Sequence, residues 1–486
     1  MARGDAARAP EPGGPLHFLH VPRTGGRTIF HCLLMPATAK DRRCPAQYTG
    51  QLRGGAYGGE GFAWDCDLSG SHDDASLLDT GVVTPRARAV MQVRDPVARV
   101  LSAYEFAVEV ASRSMLRPES VAGKIDEARQ KDKAHTWEVY PWSELVPWMQ
   151  RDLRARRERL LGEHPPAQKI VGVVEDPYSS PEVVMPLDEF VQSPMAHRHV
   201  HNAASLQLLG AAGDSIHAEE VVKLHDCLER GRQEQAGPGP GAGAGAGVGD
   251  GEEGGDGGGG ADGMEAALAR LAEARLEKLW FVTTSDNITE SAETLAAAAG
   301  KDLARPGPES MKLAPERRQG LGEAFMKCAA SAQAKARTKR LMTLRKLVQP
   351  AAGVAGGGVM VRFSKEARKR IPEATLERIR EANRLDTRLH EAARALYARR
   401  RAALLREGRV QALPRLPESF EPKMQEELRK WLPRDDELAR RDRLGITVWD
   451  PQDWQAVRAP KAAGGQRPDR REGERGAPGE ARDGEL

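Results

Sequence analysis

The sequence predicts an α/β fold, a parallel sheet flanked by helices, from two strand-to-helix junctions and a third apolar run. At the first junction Leu16 to Val21 reads as a buried strand. The turn Pro22-Arg23-Thr24-Gly25-Gly26-Arg27-Thr28 breaks it, and a helix-length apolar run starts at Ile29. At the second, Ala89 to Val93 runs into Arg94-Asp95-Pro96, a capping acid followed by proline in the first turn of a helix. Val97, Val100, Leu101, Tyr104, Val108 and Ala111 then recur at helical spacing. The third strand candidate is Lys278 to Thr284.

The remaining elements follow in chain order. Residues 1–15 are polar and rich in Pro and Gly, and are expected to be disordered; they lack the apolar core of a secretory signal. Lys40 to Gly61 reads as loop. Tyr140-Pro141-Trp142 opens an aromatic-rich helix through Leu153, and Arg154 to Arg159 continues it as a solvated basic face. Met185 to Leu209 reads as loop and then helix. Residues 236–263 are nearly pure Gly, Ala and Pro with acids, too poor in apolar surface to offset ordering entropy, and read as a disordered insertion. Glu265 to Glu277 is a helix, and Glu290 to Gly300 a short one stopped by its glycine. A helical extension occupies 301–410, with Leu376, Ile379, Ala382, Leu385, Leu389, Ala393 and Leu396 as a stripe that packs on the domain at 16–300. Ala351 to Gly358 is a second Gly-rich break, and the tail 411–486 is polar and largely disordered.

Composition excludes several classes. A net charge of +3 over 486 residues is not that of a polycationic nucleic-acid binder. No apolar run reaches the roughly 18 residues of a transmembrane helix. The five cysteines form no CxxC pair, so no zinc site is expected; the odd count leaves at least one thiol free, and the pairing stays open. Nor is there a GxSxG or HExxH motif. Asn287-Ile288-Thr289 is a glycosylation sequon.

The first turn has the layout of a phosphate cradle, with backbone N–H groups and a helix N-terminus aimed at one spot. Arg23 and Arg27 add charge, and Thr24 and Thr28 add hydroxyls. The GxxxxGK[ST] pattern of an ATPase loop is absent. At the second turn, Arg94 leaves the strand and Ser102 lies about two turns into the helix. That pairing suits a second phosphate, and so a nucleotide phosphorylated at both 5′ and 3′ ends.

HVPRTGGRT and VRDPVARVLSAYEF resemble the 5′- and 3′-phosphosulfate motifs of Golgi-type sulfotransferases related to heparan sulfate 6-O-sulfotransferases. SHDDASL, YPWSELVPWMQRDLRARR, VVMPLDEFVQSPMAHRHVHNAASLQLLG and FSKEARKRIPEATLERI closely resemble the plant-type tyrosylprotein sulfotransferase, over most of Leu16 to Ala402. The resemblance implies the P-loop-like sulfotransferase fold and transfer of a sulfuryl group from 3′-phosphoadenosine-5′-phosphosulfate (PAPS) to tyrosine in acidic, secreted peptides. It implies no metal, and a Golgi location, although the chain shows neither signal nor anchor.

Carried over, Arg23, Thr24, Gly25, Gly26, Arg27 and Thr28 hold the 5′-phosphosulfate, and Arg94 and Ser102 the 3′-phosphate. Many sulfotransferases have lysine where Arg23 stands; arginine cannot become a neutral proton donor, so Arg23 acts electrostatically on the leaving group. His72, in Ser-His-Asp-Asp, is the expected base for a phenol with pKa near 10. Asp73 or Asp74 is the candidate to orient it. The alternative for His72 is a loop histidine capping a helix. His197, His199 and His201 would share one face if extended and could then bind metal; a surface or substrate-contact role is preferred. Asn202 and Gln207 are candidate lining residues, while Tyr104, Trp142 and Trp148 read as core. The competing functions are a carbohydrate sulfotransferase of the heparan 6-O type, and a non-catalytic nucleotide-binding scaffold.

Overall fold

A computed structural model describes residues 14–44, 66–79, 83–84, 86–116, 139–163, 172–174, 176–211, 224, 261–342, 359–361 and 363–416. The expected Gly-rich insertion up to residue 260, the break Ala351 to Gly358, the tail from residue 417 and Cys227 lie outside them.

Four parallel strands form the central sheet: β1 (Leu16–Leu19), β2 (Leu68–Ser71), β3 (Arg88–Val93) and, as its far edge, the strand Phe281–Thr284. Their spatial order is β2-β1-β3 followed by the Phe281–Thr284 strand. The expected α/β architecture is therefore observed. β1 is buried along its whole length because it is paired on both sides and covered on both faces, which is why it reads as an apolar run. β2, Leu-Ser-Gly-Ser, gives no such signal and escaped sequence reading. Its small residues answer a steric demand: a Cβ on Gly70 would lie 2.7 Å from Cε2 of the buried Phe30 ring.

The helices follow. α1 (Gly26–Ile29) continues without a break into a π-helical turn, Phe30–Leu34. It starts at Gly26 rather than Ile29, so the last residues of the expected turn form its first turn. α2 is Ser76–Asp79, α3 Pro96–Leu116 and α4 Trp142–Glu163. Asp95 caps α3 as expected, its Oδ1 accepting from Ala98 N–H at 2.7 Å. Three short helices, α5 (Leu187–Gln192), α6 (Pro194–His199) and α7 (Ala203–Leu209), cover the 185–209 segment. β4 (Gly172–Val174) pairs in parallel with a strand at Val359–Val361 as a separate two-stranded sheet. α8 (Ala261–Lys278) leads into β5 (Phe281–Thr284), and α9 (Ile288–Ala298) follows it, ended by Gly300 at φ +65°. Among the later elements are α10 (Leu321–Met342), β6 (Val359–Val361), α11 (Glu373–Ala382) and α12 (Arg384–Arg406), with short helical turns at Pro308–Met311 and Lys365–Lys369.

The expected C-terminal stripe spans two helices, broken at Asn383. Ile379, Leu385, Leu389 and Ala393 are buried, and α12 packs on β5 and α8. The basic stretch after Leu153 is not uniformly solvated: Arg156 is buried, held by Asp152 at 2.9 Å and Glu189 at 3.0 Å. The described residues all belong to one compact unit, Met1–Val448.

Two disulfides settle a pairing the spacing could not. Cys32 joins Cys328, tying the turn behind α1 to α10, and Cys44 joins Cys66 beside the start of β2. Cys32–Cys328 closes a very long loop, so it restricts the unfolded chain strongly. Replacing both Cys32 and Cys328 by Ser should cost about 2–5 kcal/mol and lower the melting temperature, read by non-reducing thermal denaturation.

Candidate active site

The strand order places the site. The chain leaves β1 toward β2 on one side, while β3 and β5 lie on the other. The reversal falls between β1 and β3, where open parallel sheets leave a crevice beyond the carboxyl ends of the strands. Leu19 is in register with Ser71 on one side and Met91 on the other. The turn after β1, the Ser-His-Asp-Asp run after β2 and Arg94 after β3 therefore emerge at one sheet edge. Three motifs far apart in sequence become neighbours through backbone pairing alone.

The turn after β1 is held from inside. Arg23 and Gly25 both have positive φ, +68° and +86°. For arginine this is an uncommon conformation that the surroundings must enforce. Arg94 Nη1 donates to the Arg23 carbonyl at 2.9 Å, and Gln92 Nε2 donates to the Thr24 carbonyl at 2.9 Å. The Thr24 hydroxyl donates to Val21 O at 2.9 Å, so its proton serves the turn rather than a ligand, a change from the role expected of it. Gly26 must be glycine: a Cβ there would lie 2.5 Å from His20 Cδ2 and 2.9 Å from Phe18 Cε1. Arg27 is exposed and Thr28 half-buried in the first turn of α1.

Arg23 and Ser102, expected in opposite halves of the site, are in contact. The guanidinium donates to Ser102 Oγ from Nε at 3.0 Å and Nη2 at 2.8 Å, and lies over the Phe106 ring, 4.5 Å from its centre. One cluster of Arg23, Arg94 and Ser102 thus joins the two turns. It puts two guanidinium groups and a hydroxyl beside the start of α1, where the N–H groups of Gly26 and Arg27 precede the first helical bond, Thr28 N–H to Gly25 O at 2.9 Å. This donor set, with a glycine cradle too tight for a side chain, fits a polyanionic nucleotide.

His72 lies beside this cluster. A small cleft is lined by Arg23 and His72, by Arg99 of α3, and by Tyr140 and Trp142 at the start of α4. Arg198, His199 and Gln207 complete the part of the lining that bears on function. His72 Nε2 is 2.9 Å from Nδ1 of His20, a residue sequence reading did not single out. Asp74 has a structural role at the start of the next helix. Its Oδ1 accepts from Ser76 N and Oγ and so starts α2. Burial holds His72 at about 3 and His20 well below the ordinary imidazole value, so both rings are neutral.

Gln207 holds the imidazole pair in place. Its Nε2 donates to His20 O at 3.0 Å, His72 O at 3.1 Å and Asp73 O at 2.9 Å. Asn202 is a brace rather than a ligand: its Oδ1 accepts from Leu385 N at 3.1 Å and Asp386 N at 3.3 Å. His197 and His199 sit on the helix α6, not on an extended segment. His201 is fixed by Val191 O at 2.8 Å and Asn383 Nδ2 at 2.9 Å. Among the described residues no group of three or more His, Cys, Asp or Glu is placed to hold a metal ion. Tyr104 is core, its hydroxyl donating to Met185 O at 2.6 Å; Trp142 is buried, and Trp148 half-buried.

Two tests follow. Gly26→Ala should displace the His20 and Phe18 rings, cost about 1–3 kcal/mol and abolish nucleotide binding, read by melting temperature and by titration with adenosine 3′,5′-bisphosphate. The buried histidines also tie stability to pH. Burial lowers His17 to about 4 and His72 to about 3 from 6.5. Below pH 6.5 the unfolded chain therefore binds protons that the folded one does not, and stability falls with pH by roughly 1.4 kcal/mol per unit for each group. The urea midpoint should drop between pH 7 and 5, and His17→Asn, which keeps a partner for Ser69 Oγ, should shallow that slope.

No family model matches the chain. It is 29% identical over 420 residues, 79% of this chain and 75% of the relative, to an Arabidopsis thaliana protein named protein-tyrosine sulfotransferase. The turn after β1, Arg94 and Ser102 after β3 and His72 after β2 all emerge at one sheet edge, and the chain that carries them is a relative of the plant-type protein-tyrosine sulfotransferases.

Proposed function

We propose that this chain transfers the sulfuryl group of PAPS to tyrosine hydroxyls of acidic peptides or proteins in the secretory pathway. The observation that carries the reading is the position of His72, lining the same cleft as Arg23 beside a twofold cationic anion seat. The name of the Arabidopsis relative supports tyrosine as acceptor. The cleft supports it too, offering Tyr140 and Trp142 as aromatic neighbours for a phenol and Arg198 and His199 for acidic residues beside it.

Backbone N–H groups of Gly25 to Arg27, with the Arg27 side chain and the Thr28 hydroxyl, bind the 5′-phosphosulfate. Arg94 and Ser102 seat the 3′-phosphate. Arg23 stays charged and steadies the phosphate oxygen from which the sulfuryl group departs. His72 accepts the phenolic proton as the new S–O bond forms and the bond to the phosphate breaks. In the empty cleft burial disfavours its charged form; the donor's negative charges, bound alongside, oppose that penalty. Direct in-line transfer needs only this positioning, a base and anion stabilisation.

Two disulfides support an oxidising compartment, as expected of a lumenal Golgi enzyme. Asn287 is exposed at the N-cap of α9 and is the acceptor of the sequon in such a setting. No helix among the described residues is long and apolar enough to cross a membrane.

The test is transfer of label from PAPS to an acidic tyrosine peptide, with a heparan-type polysaccharide as the competing acceptor. Peptide labelling supports the reading. Labelling of the polysaccharide alone moves the chain to carbohydrate sulfation, and nucleotide binding without turnover leaves only a scaffold. His72→Ala should lower kcat about 10²–10⁴-fold with nucleotide affinity unchanged. Arg94→Ala should weaken adenosine 3′,5′-bisphosphate about 10–100-fold and adenosine 5′-monophosphate by less, the smaller loss coming from release of the Arg23 carbonyl.

A further inference from the structure

Phe106 of α3 has no place in the chemistry described so far, yet the helix sets it beside the anion seat. Ser102 and Phe106 are four residues apart, so they lie one above the other on one face of α3. Tyr104 and Glu105, between them, turn inward: the Tyr104 hydroxyl donates to Met185 O at 2.6 Å, and Glu105 Oε1 accepts from the Tyr178 hydroxyl at 2.7 Å. Phe106 is half-buried. Because it shares a face with Ser102, one guanidinium from the turn after β1 meets both residues.

That guanidinium is Arg23. Its Nε and Nη2 reach Ser102 Oγ at 3.0 and 2.8 Å, and its central carbon stands 4.5 Å from the centre of the Phe106 ring. A hydroxyl on one edge is a single point of attachment, about which a planar group still tilts. The ring face beneath removes the tilt. Phe106 is itself held: it meets the Trp142 ring edge to face, centres 4.6 Å apart and planes at 65°, and Trp142 is buried at the start of α4. The choice of an aromatic ring has an electrostatic consequence. A π face attracts a cation through its quadrupole and brings no net charge, whereas a carboxylate in the same place would cancel the charge it held.

We propose that Phe106 is the positioning residue of Arg23: its ring face fixes the plane of the guanidinium, Ser102 fixes the direction within that plane, and the charge is left for the donor nucleotide. This rests on the reading of Arg23 as the group that faces the departing phosphate oxygen. It adds what aims Arg23 and why an aromatic residue stands behind it. As the bond from sulfur to that oxygen breaks, its electron pair stays on the phosphate oxygen, and the charge that develops there meets a cation already in place. A guanidinium free to tilt would have to be ordered at that moment, at the expense of rate.

The experiment uses the full chain with Phe106 replaced in turn by singly, doubly and triply fluorinated phenylalanine. Each fluorine drains negative potential from the ring face and leaves the shape almost unchanged. kcat with PAPS and an acidic tyrosine peptide should fall step by step, reaching about 3–30-fold at three fluorines. Affinity for adenosine 3′,5′-bisphosphate, whose 5′-phosphate carries the charge that Arg23 faces, should fall in the same order, while melting temperature and peptide KM stay level. Phe106→Leu, which fills the space without a π face, should be at least as slow as the triply fluorinated chain. A flat series overturns the proposal, and so does a loss that follows melting temperature rather than fluorine number. A rise in peptide KM with kcat unchanged also overturns it, because the effect then runs through Trp142 and the cleft wall. If Arg23→Ala keeps full kcat, Arg23 has no part in the transfer and the inference falls with it. If the wild type labels no acceptor, the reading of the reaction fails separately, and the affinity series decides: a graded loss supports Phe106 as the residue that places Arg23, and a level one overturns it.

Discussion

Strand β1 is hydrogen-bonded in parallel on both sides, and every candidate site residue depends on that pairing. Parallel strands run in one direction, so their carboxyl ends fall at one edge, and the loops leaving them must share it. Register supplies the rest: Leu19 opposite both Ser71 and Met91 fixes the heights at which the Arg23 turn, His72 and Arg94 emerge. A slip of one residue would turn alternate side chains to the other face and part His20 from His72. Residues with no chemistry of their own maintain the register. Ser69 accepts or donates at His17 Nδ1 across 2.9 Å, and Gly70 leaves room for the Phe30 ring.

The C-terminal helices act on the same edge through one buried ion pair. Arg99, in the first turns of α3, has its Nη2 at 3.0 Å from Asp386 of α12, 2.6 Å from Val200 O and 3.2 Å from Asn383 Oδ1. Both charged side chains are almost wholly buried, so the attraction offsets a large desolvation cost rather than adding a surplus. Asp386 also accepts from Ala204 N and Ser205 N at the start of α7, while Asn202 N donates to Asn383 Oδ1 and Asn202 Oδ1 accepts from Leu385 N across the same junction. α7 carries Gln207, and Gln207 holds the carbonyls of the histidine pair. The helices after residue 370 are thus linked to the cleft through named bonds. Removing one charge of the pair leaves the other buried alone, which costs about 3–5 kcal/mol in comparable sites.

The parts of this arrangement that were legible in the sequence are those with a local signature. Apolar runs gave β1, β3 and β5; Asp95-Pro96 gave the start of α3; paired glycines marked the tight turn between β1 and α1. The rest is set by distance partners. β2 was hidden because its neighbours demand small residues and small residues carry no strand signal. His20 was hidden because a histidine at the end of an apolar strand looks the same whether it meets another histidine or solvent. Gln207, Asn383 and Arg99 have unremarkable local contexts, and only the fold brings their partners to them. Thr24 was misjudged for the opposite reason. The turn that suggested a ligand role for its hydroxyl also supplies a nearer acceptor, Val21 O. The disulfides were beyond spacing arguments because Cys32 and Cys328 are joined across 296 residues.

The contacts of Arg23 suit an arginine and not a lysine. A lysine ammonium is a single point donor on a flexible stem. The Arg23 guanidinium places two N–H groups on the Ser102 hydroxyl while its face covers Phe106, a combination only a planar fork allows. Its backbone sits at φ +68°, a conformation of some cost, held by Arg94 on its carbonyl. Each guanidinium therefore fixes the other's segment: Arg94 restrains the turn, and Arg23 restrains the helix that carries Ser102. An anion approaching this edge meets donors already in position, so its binding energy is not spent on ordering side chains rich in rotamers. What arginine loses is the option of giving up a proton. In the proposed transfer, proton removal therefore falls to the other side of the cleft, where the two neutral imidazoles stand.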